Sequence, residues 1–218
     1  MFTSTRMLPW VVAACIALLG ARAQGQSASL EFWPEVQIVH KFDDRTKFMG
    51  TVDTSRERNS DQAYSGGAVV ALDHSFSEIL SARVGYRHVQ ALDGSSFVED
   101  RLLVEQNIRA SLPAGVKLDF RTREDFRWLN SGFSVRLRER VQISRGMNIG
   151  DYTFTPYASA EAYFDTRYNQ IARYRVIAGT SFPIGNWLEV SPYFAHQIDV
   201  VPASTIVKAI GLSVAISY

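Results

Sequence analysis

The chain closes with IVKAIGLSVAISY at residues 206–218, and this stretch decides the fold. Ile206, Lys208, Ile210, Leu212, Val214, Ile216 and Tyr218 share one parity. Val207, Ala209, Gly211, Ser213, Ala215 and Ser217 share the other. A repeat of two puts these sets on opposite faces of a strand. One face is bulky and apolar, and the other is small or hydroxylated. A soluble barrel would turn its bulky residues into a core, so this strand predicts the reverse: an apolar exterior around a polar interior.

Working back from this strand, about eleven period-two segments lie between turn signals, and none shows a convincing period of 3.6. In 30–42, Leu30, Phe32, Val36, Ile38 and Phe42 oppose Glu31, Glu35, Gln37 and Lys41. In 80–90, Leu80, Ala82, Val84 and Tyr86 oppose Ser81, Arg83, Gly85 and Arg87. In 102–112, Val104, Ile108 and Leu112 oppose Glu105, Asn107 and Arg109. The middle of the chain is clearest. There Val116, Leu118 and Phe120 oppose Lys117, Asp119, Arg121, Arg123, Asp125 and Arg127. Phe133, Val135, Leu137, Val141 and Ile143 then oppose Ser134, Arg136, Arg138, Arg140 and Gln142. Further segments cover 152–165, 171–182 and 188–199. Alternation at about ten residues per segment from end to end predicts an all-β fold, an antiparallel up-and-down transmembrane β-barrel of about 10–12 strands. A soluble β-barrel is the rival reading.

The other end of the chain agrees. Arg6 begins residues 1–23 with a positive charge, 8–20 are apolar, and Ala21-Arg22-Ala23 offers a small-x-small cleavage site. The apolar stretch is too short for a membrane helix, which needs about 20 residues. Residues 1–23 therefore read as a signal peptide and 24–218 as a single barrel domain. Val12-Ala13-Ala14-Cys15 fits a loose lipoprotein pattern, but Cys15 reads better as a small residue inside the apolar stretch. The mature chain then has no cysteine for a disulfide or thiolate site. Loss of Arg6 and Arg22 leaves 21 basic against 22 acidic residues, so nucleic acid is not an expected partner.

Leu212, Val214, Ile216 and the terminal Tyr218 look like the signal by which outer-membrane barrels are recognised and inserted. The expected partners are the barrel-assembly machinery, outer-membrane lipids and lipopolysaccharide, with the oligomeric state open. Placing Tyr218 in the periplasm makes 183–186, 146–151 and 113–115 periplasmic turns. Residues 203–204, 165–170, 128–132 and 91–96 then lie outside. Eleven strands conflict with the even counts of bacterial single-chain barrels. Either 43–64 is one long external loop and the barrel has ten strands, the reading preferred here, or a twelfth strand is hidden. Under ten strands, His40, His88 and His196 join Tyr86, Phe133, Phe164 and Tyr174 in an outer girdle, with Trp187, Phe182, Phe76 and Tyr218 in the inner one.

The interior is expected to be charged. Arg121, Arg123, Arg136, Arg138, Arg140, Arg173 and Arg175 face inward, among acids that include Glu105, Glu161 and Glu189. Directly opposed residues on adjacent strands are about 5 Å apart at Cβ, within reach for Arg–carboxylate pairs. A lumen plugged by ion pairs is the first reading, and an anion-selective pore lined by these arginines is the alternative. A lipid-modifying enzyme comes third. A serine nucleophile needs a histidine beside it. On their own strands none of His40, His74, His88 and His196 has a serine as a same-face neighbour. No catalytic residue, metal site or cofactor is therefore expected, and the chain reads as not an enzyme.

Arg136-Leu137-Arg138-Glu139-Arg140, Tyr157-x-Ser159-x-Glu161-x-Tyr163-Phe164 and Arg173-x-Arg175 before Gly179 form a recurring set. Val84-Gly85-Tyr86-Arg87 and Ser191-Pro192-Tyr193-Phe194-x-x-Gln197 complete it. Together they resemble the bacterial outer-membrane barrels grouped as domain of unknown function 2490. The resemblance spans most of the mature chain, weakens at 43–64, and implies an envelope β-barrel without bringing any activity, substrate or catalytic residue.

Overall fold

The alternation is realised as strands almost everywhere. The structure, a computed structural model, describes residues 29–56, 64–92, 94, 96–202 and 204–218. The expected signal peptide at 1–23, Cys15 included, lies outside the described residues. The strands are β1 (Ser29–Lys41), β2 (Thr46–Arg56), β3 (Tyr64–Ser75), β4 (Leu80–Ala91), β5 (Val98–Ser111) and β6 (Val116–Leu129). They continue as β7 (Gly132–Arg145), β8 (Met147–Ile149), β9 (Tyr152–Asp165), β10 (Gln170–Ile184), β11 (Leu188–Asp199) and β12 (Thr205–Ser217). Eleven are long and form the wall, each antiparallel to its sequence neighbour, while the short β8 pairs only with β9. The wall closes where β1 runs parallel to β12, from Ser29 opposite Val207 to Val39 opposite Ser217. Each of the eleven wall strands is thus paired on both sides, and among the described residues only the short β8 keeps a free edge.

The count falls within the expected 10–12, but the preferred ten-strand version is corrected. Residues 46–56 are not loop: Thr46 to Arg56 pair residue by residue with β3, and Lys47 to Asp53 pair with β1. An odd number of strands is accommodated because the closing seam is parallel, which reverses the direction of β1. The rim at which the chain ends, here the C-terminal rim, therefore also holds the turn at 42–45. His40 is corrected with it. Its ring lies 5.0 Å from that of Tyr218, and the Lys41 amide donates to the Tyr218 carbonyl at 3.2 Å. His40 thus belongs with His74 and Phe76 at the C-terminal rim, and His88 and His196 remain toward the opposite one.

The turn at 42–45 is held by Asp43, whose Oδ1 accepts the backbone N–H groups of Arg45 at 2.7 Å and Thr46 at 2.6 Å. These bonds hold the Asp43 carboxyl below the usual aspartate range. Its stabilising contribution is present above the ordinary aspartate pKa and is lost as pH falls through the lowered value.

The two faces of the wall are inverted relative to a soluble protein. Leu30, Phe32, Val70, Phe133, Phe194 and Ile210 are exposed on the outside, while Glu99, Asp125, Arg127 and Asp165 are fully buried inside. Two carboxylates interrupt the outer face midway along their strands: Glu124 and Glu139, the latter accepting from Thr122 Oγ1 at 2.9 Å. A carboxylate facing hydrocarbon is costly, by less than the roughly 2–4 kcal/mol of a mid-bilayer Lys or Arg. Glu139→Leu is expected to raise unfolding free energy in lipid by about 1–2 kcal/mol, measured by urea titration in bilayers; a loss of stability would place that face elsewhere.

Glycine makes room inside, most tightly at two places. A Cβ on Gly211 of β12 would fall within the ring of Tyr193, which lies across the β12 backbone, and one on Gly67 would collide with the Arg87 guanidinium. Gly211→Ala is expected to displace the Tyr193 ring and cost about 1–3 kcal/mol in the same measurement, as overpacking does.

Candidate functional site

The inward positions of β6, β7 and β9 build the charged interior. Register sets Arg121 opposite Arg140 and Arg123 opposite Arg138, so like charges meet on neighbouring strands, an unfavourable pairing by itself. The acids that neutralise them lie elsewhere on the same strand or on other strands. Arg121 reaches over β7 to Glu161 at 2.5 Å, and Arg138 meets the same carboxylate at 2.9 Å. Tyr163 donates its hydroxyl to Glu161 at 2.7 Å. Asp125 takes Arg123 at 2.8 Å, and Glu105 stands 3.3 Å from Arg83, 3.7 Å from Arg121 and 3.9 Å from Arg123. Arg140 turns the other way, to Asp119 at 3.1 Å.

Toward the rim opposite the chain end, the network is most deeply buried. Arg127 donates Nε and Nη2 to Glu99, and Nη1 to Asp165 at 2.8 Å. Arg101 joins Glu99 through Nε at 2.6 Å, while Arg136 and Arg167 join Asp165 at 3.0 and 2.8 Å. Arg127, Glu99 and Asp165 are each 0% exposed. Charges this deeply buried are tolerable only when paired and hydrogen-bonded, as here.

Beside this buried network lies a chamber of about 460 Å³ lined by nine arginines and four carboxylates, Glu35, Asp53, Glu161 and Glu189. The lining runs from Arg101 and Arg173 down to Glu189 and Ser191 near the C-terminal rim. Most of the arginines have a carboxylate to one side and leave part of the guanidinium toward the chamber. Arg175 differs. Its Nε and Nη2 donate to Gln197 Oε1 at 2.9 and 2.6 Å, and no ion pair neutralises it among the described residues. Its guanidinium lies 4.9 Å from the ring centre of Trp33 and 5.4 Å from that of Tyr163. The second ring also carries Arg138 at 4.6 Å and Arg173 at 5.5 Å. Stacking on aromatic faces holds guanidinium groups in place without consuming their outward N–H donors.

Of the arginines singled out in the sequence, Arg121, Arg123, Arg136, Arg138, Arg140 and Arg173 join ion pairs, the last with Asp199. Glu105 and Glu161 each stand within 4 Å of more than one arginine. Glu189 lines the chamber but forms no ion pair among the described residues. Sequence reading missed the bidentate Arg87–Asp53 pair, 2.7 Å through each oxygen, because Asp53 fell in a stretch taken as loop. It also passed over Glu124 and Glu139, whose parity alone puts them outside. Among the described residues no group of three His, Cys, Asp or Glu side chains is placed to hold a metal ion.

On the outer face, Asp100 Oδ1 joins two residues of β4, accepting Tyr86 Oη at 2.5 Å and lying 2.7 Å from His88 Nδ1. The cluster spans two strands, so same-strand spacing could not show it.

Comparison with known proteins follows from this architecture. Residues 30–206 match the family described as "Protein of unknown function (DUF2490)". The chain belongs to the DUF2490 family. The match runs through β2, where the resemblance of motifs was weakest. No curated protein matches. Among solved structures, the DUF2490 barrel is similar to LpxR from Salmonella typhimurium, with a TM-score of 0.48 and 9% identity over 79% of this chain and 83% of that one. This corrects one expectation. The reading of the chain as not an enzyme is withdrawn. That reading rested on same-strand neighbours and left open a triad assembled across strands, and strand pairing does bring polar groups together between strands, as at Tyr86, Asp100 and His88.

Proposed function

We propose that this barrel sits in the bacterial outer membrane and holds a small anionic ligand in a lumen shut at one rim. The observation that carries the reading is Arg175: a lumen guanidinium stacked between Trp33 and Tyr163, facing the chamber without a carboxylate of its own. Glu161, its cross-strand neighbour, is taken up by Arg138 at 2.9 Å and Arg121 at 2.5 Å, and the chamber lining holds nine arginines against four carboxylates. An entering anion would meet preorganised donors in a site partly screened from water, where such contacts are strongest. The wholly buried Glu99–Arg127–Asp165 network favours a chamber over the alternative of an anion-selective channel, which needs a continuous aqueous path.

The test is calorimetric titration of the folded barrel in detergent with inorganic phosphate at low ionic strength. Saturable binding that weakens as salt rises is expected; heats indistinguishable from a chloride control would remove the reading. The membrane location has its own check. A folded barrel should need detergent for solubility and migrate differently on a gel before and after boiling, and identical migration without detergent would contradict it.

A further inference from the structure

The floor of the chamber is chemically unlike its arginine wall. Near the C-terminal rim, Glu35 accepts Ser213 Oγ at 2.9 Å, and Glu189 lies 3.5 Å from Ser191 Oγ, which itself contacts Ser181 Oγ at 2.7 Å. Neither Glu35 nor Glu189 has a Lys or Arg ion-pair partner among the described residues. Gln142 and Tyr157 line the same region, and no described group hydrogen-bonds their side chains. Tyr193 lies flat across Gly211 beside them. The floor therefore offers strong acceptors, weak donors and a flat aromatic surface together.

A group that only donates, such as an ammonium, could serve the carboxylates, the Tyr157 oxygen and Gln142 Oε1, but would leave the Tyr157 O–H and the Gln142 N–H donors unmatched. Hydroxyl groups both donate and accept, and so meet all of these partners. Resting on the anion-binding reading above, we propose that the ligand is a soluble phosphorylated polyol of the sugar-phosphate class. Its phosphate sits against Arg138 and Arg175, and its hydroxyls lie between Glu35, Glu189 and Tyr157. A chamber of about 460 Å³ is of the size that holds such a molecule.

The experiment compares glucose 1-phosphate, inorganic phosphate, glucose and phosphoethanolamine by calorimetry on the full barrel, with phosphatidylinositol in mixed micelles as a lipid-borne competitor. Glucose 1-phosphate is expected to bind at least about tenfold more tightly than phosphate, unaffected by phosphatidylinositol. In Glu189→Gln that advantage over phosphate, measured on the same variant, should shrink to less than threefold. Glu189 stands near the rim, and an unchanged heat-dependent gel shift would show that the variant folds. Equal affinity for phosphate and glucose 1-phosphate would overturn this proposal and leave the anion site standing. An advantage for phosphoethanolamine would also overturn it, in favour of a cationic partner for the floor. Competition by phosphatidylinositol would overturn the assignment to a soluble ligand. If none of the phosphates binds, the anion-binding reading fails as well.

Discussion

Replacing Arg127 with methionine is expected to lower the unfolding free energy by about 3–5 kcal/mol, one of the largest effects of any single lumen substitution. The guanidinium is shared by Glu99 and Asp165, and all three groups are fully buried. Removing the cation leaves two carboxylates dependent on Arg101, Arg136 and Arg167, and breaking a buried pair typically costs this much because the remaining charge stays desolvated. Arg109→Ala supplies the contrast. Its side chain is 46% exposed and its nearest acid, Asp119, is 3.5 Å away, so about 0–1 kcal/mol is expected. Urea titration of both variants in the same detergent measures the difference. Comparable losses would mean that water enters at Arg127.

Arg175→Glu is expected to weaken phosphate binding by at least about 100-fold. At an effective dielectric near 20, one unit charge about 4 Å from an anion is worth about 4 kcal/mol, and each 1.4 kcal/mol is tenfold in affinity. The substitution removes one such attraction and adds a repulsion. Arg140→Gln should cost far less, since Arg140 is directed to Asp119 and lies toward the floor. Calorimetry on both variants checks the ranking, and equal losses would spread the site evenly over all the lumen arginines.

Much of the barrel was legible because a strand reports its environment every second residue. Residues 206–218 implied an apolar exterior, and Ile210 and Val207 lie on the exposed and buried faces as parity required. The Arg–Glu ladder was legible for the same reason. Which acid each arginine takes was not, because register places Arg121 opposite Arg140, and its partner Glu161 is two strands away. Residues 46–56 were hidden by a weak pattern: Phe48, Gly50, Val52 and Thr54 make a thin outward face, and only pairing with both neighbours identifies the strand. That omission also misplaced His40 and concealed the Arg87–Asp53 pair. The chamber itself could not be read from the sequence. It depends on how far Trp33, Tyr163 and Tyr193 extend into the lumen, and on glycines at 67 and 211 that let Arg87 and Tyr193 lie close to the wall.

Current across a planar bilayer containing the purified barrel tests the central claim most directly. With the Glu99–Arg127–Asp165 network in place, the protein should insert without producing steady conductance steps, whether the salt is chloride or phosphate. Steady anion-selective current through the unmodified protein would contradict a lumen closed at one rim and make the arginines the lining of a pore.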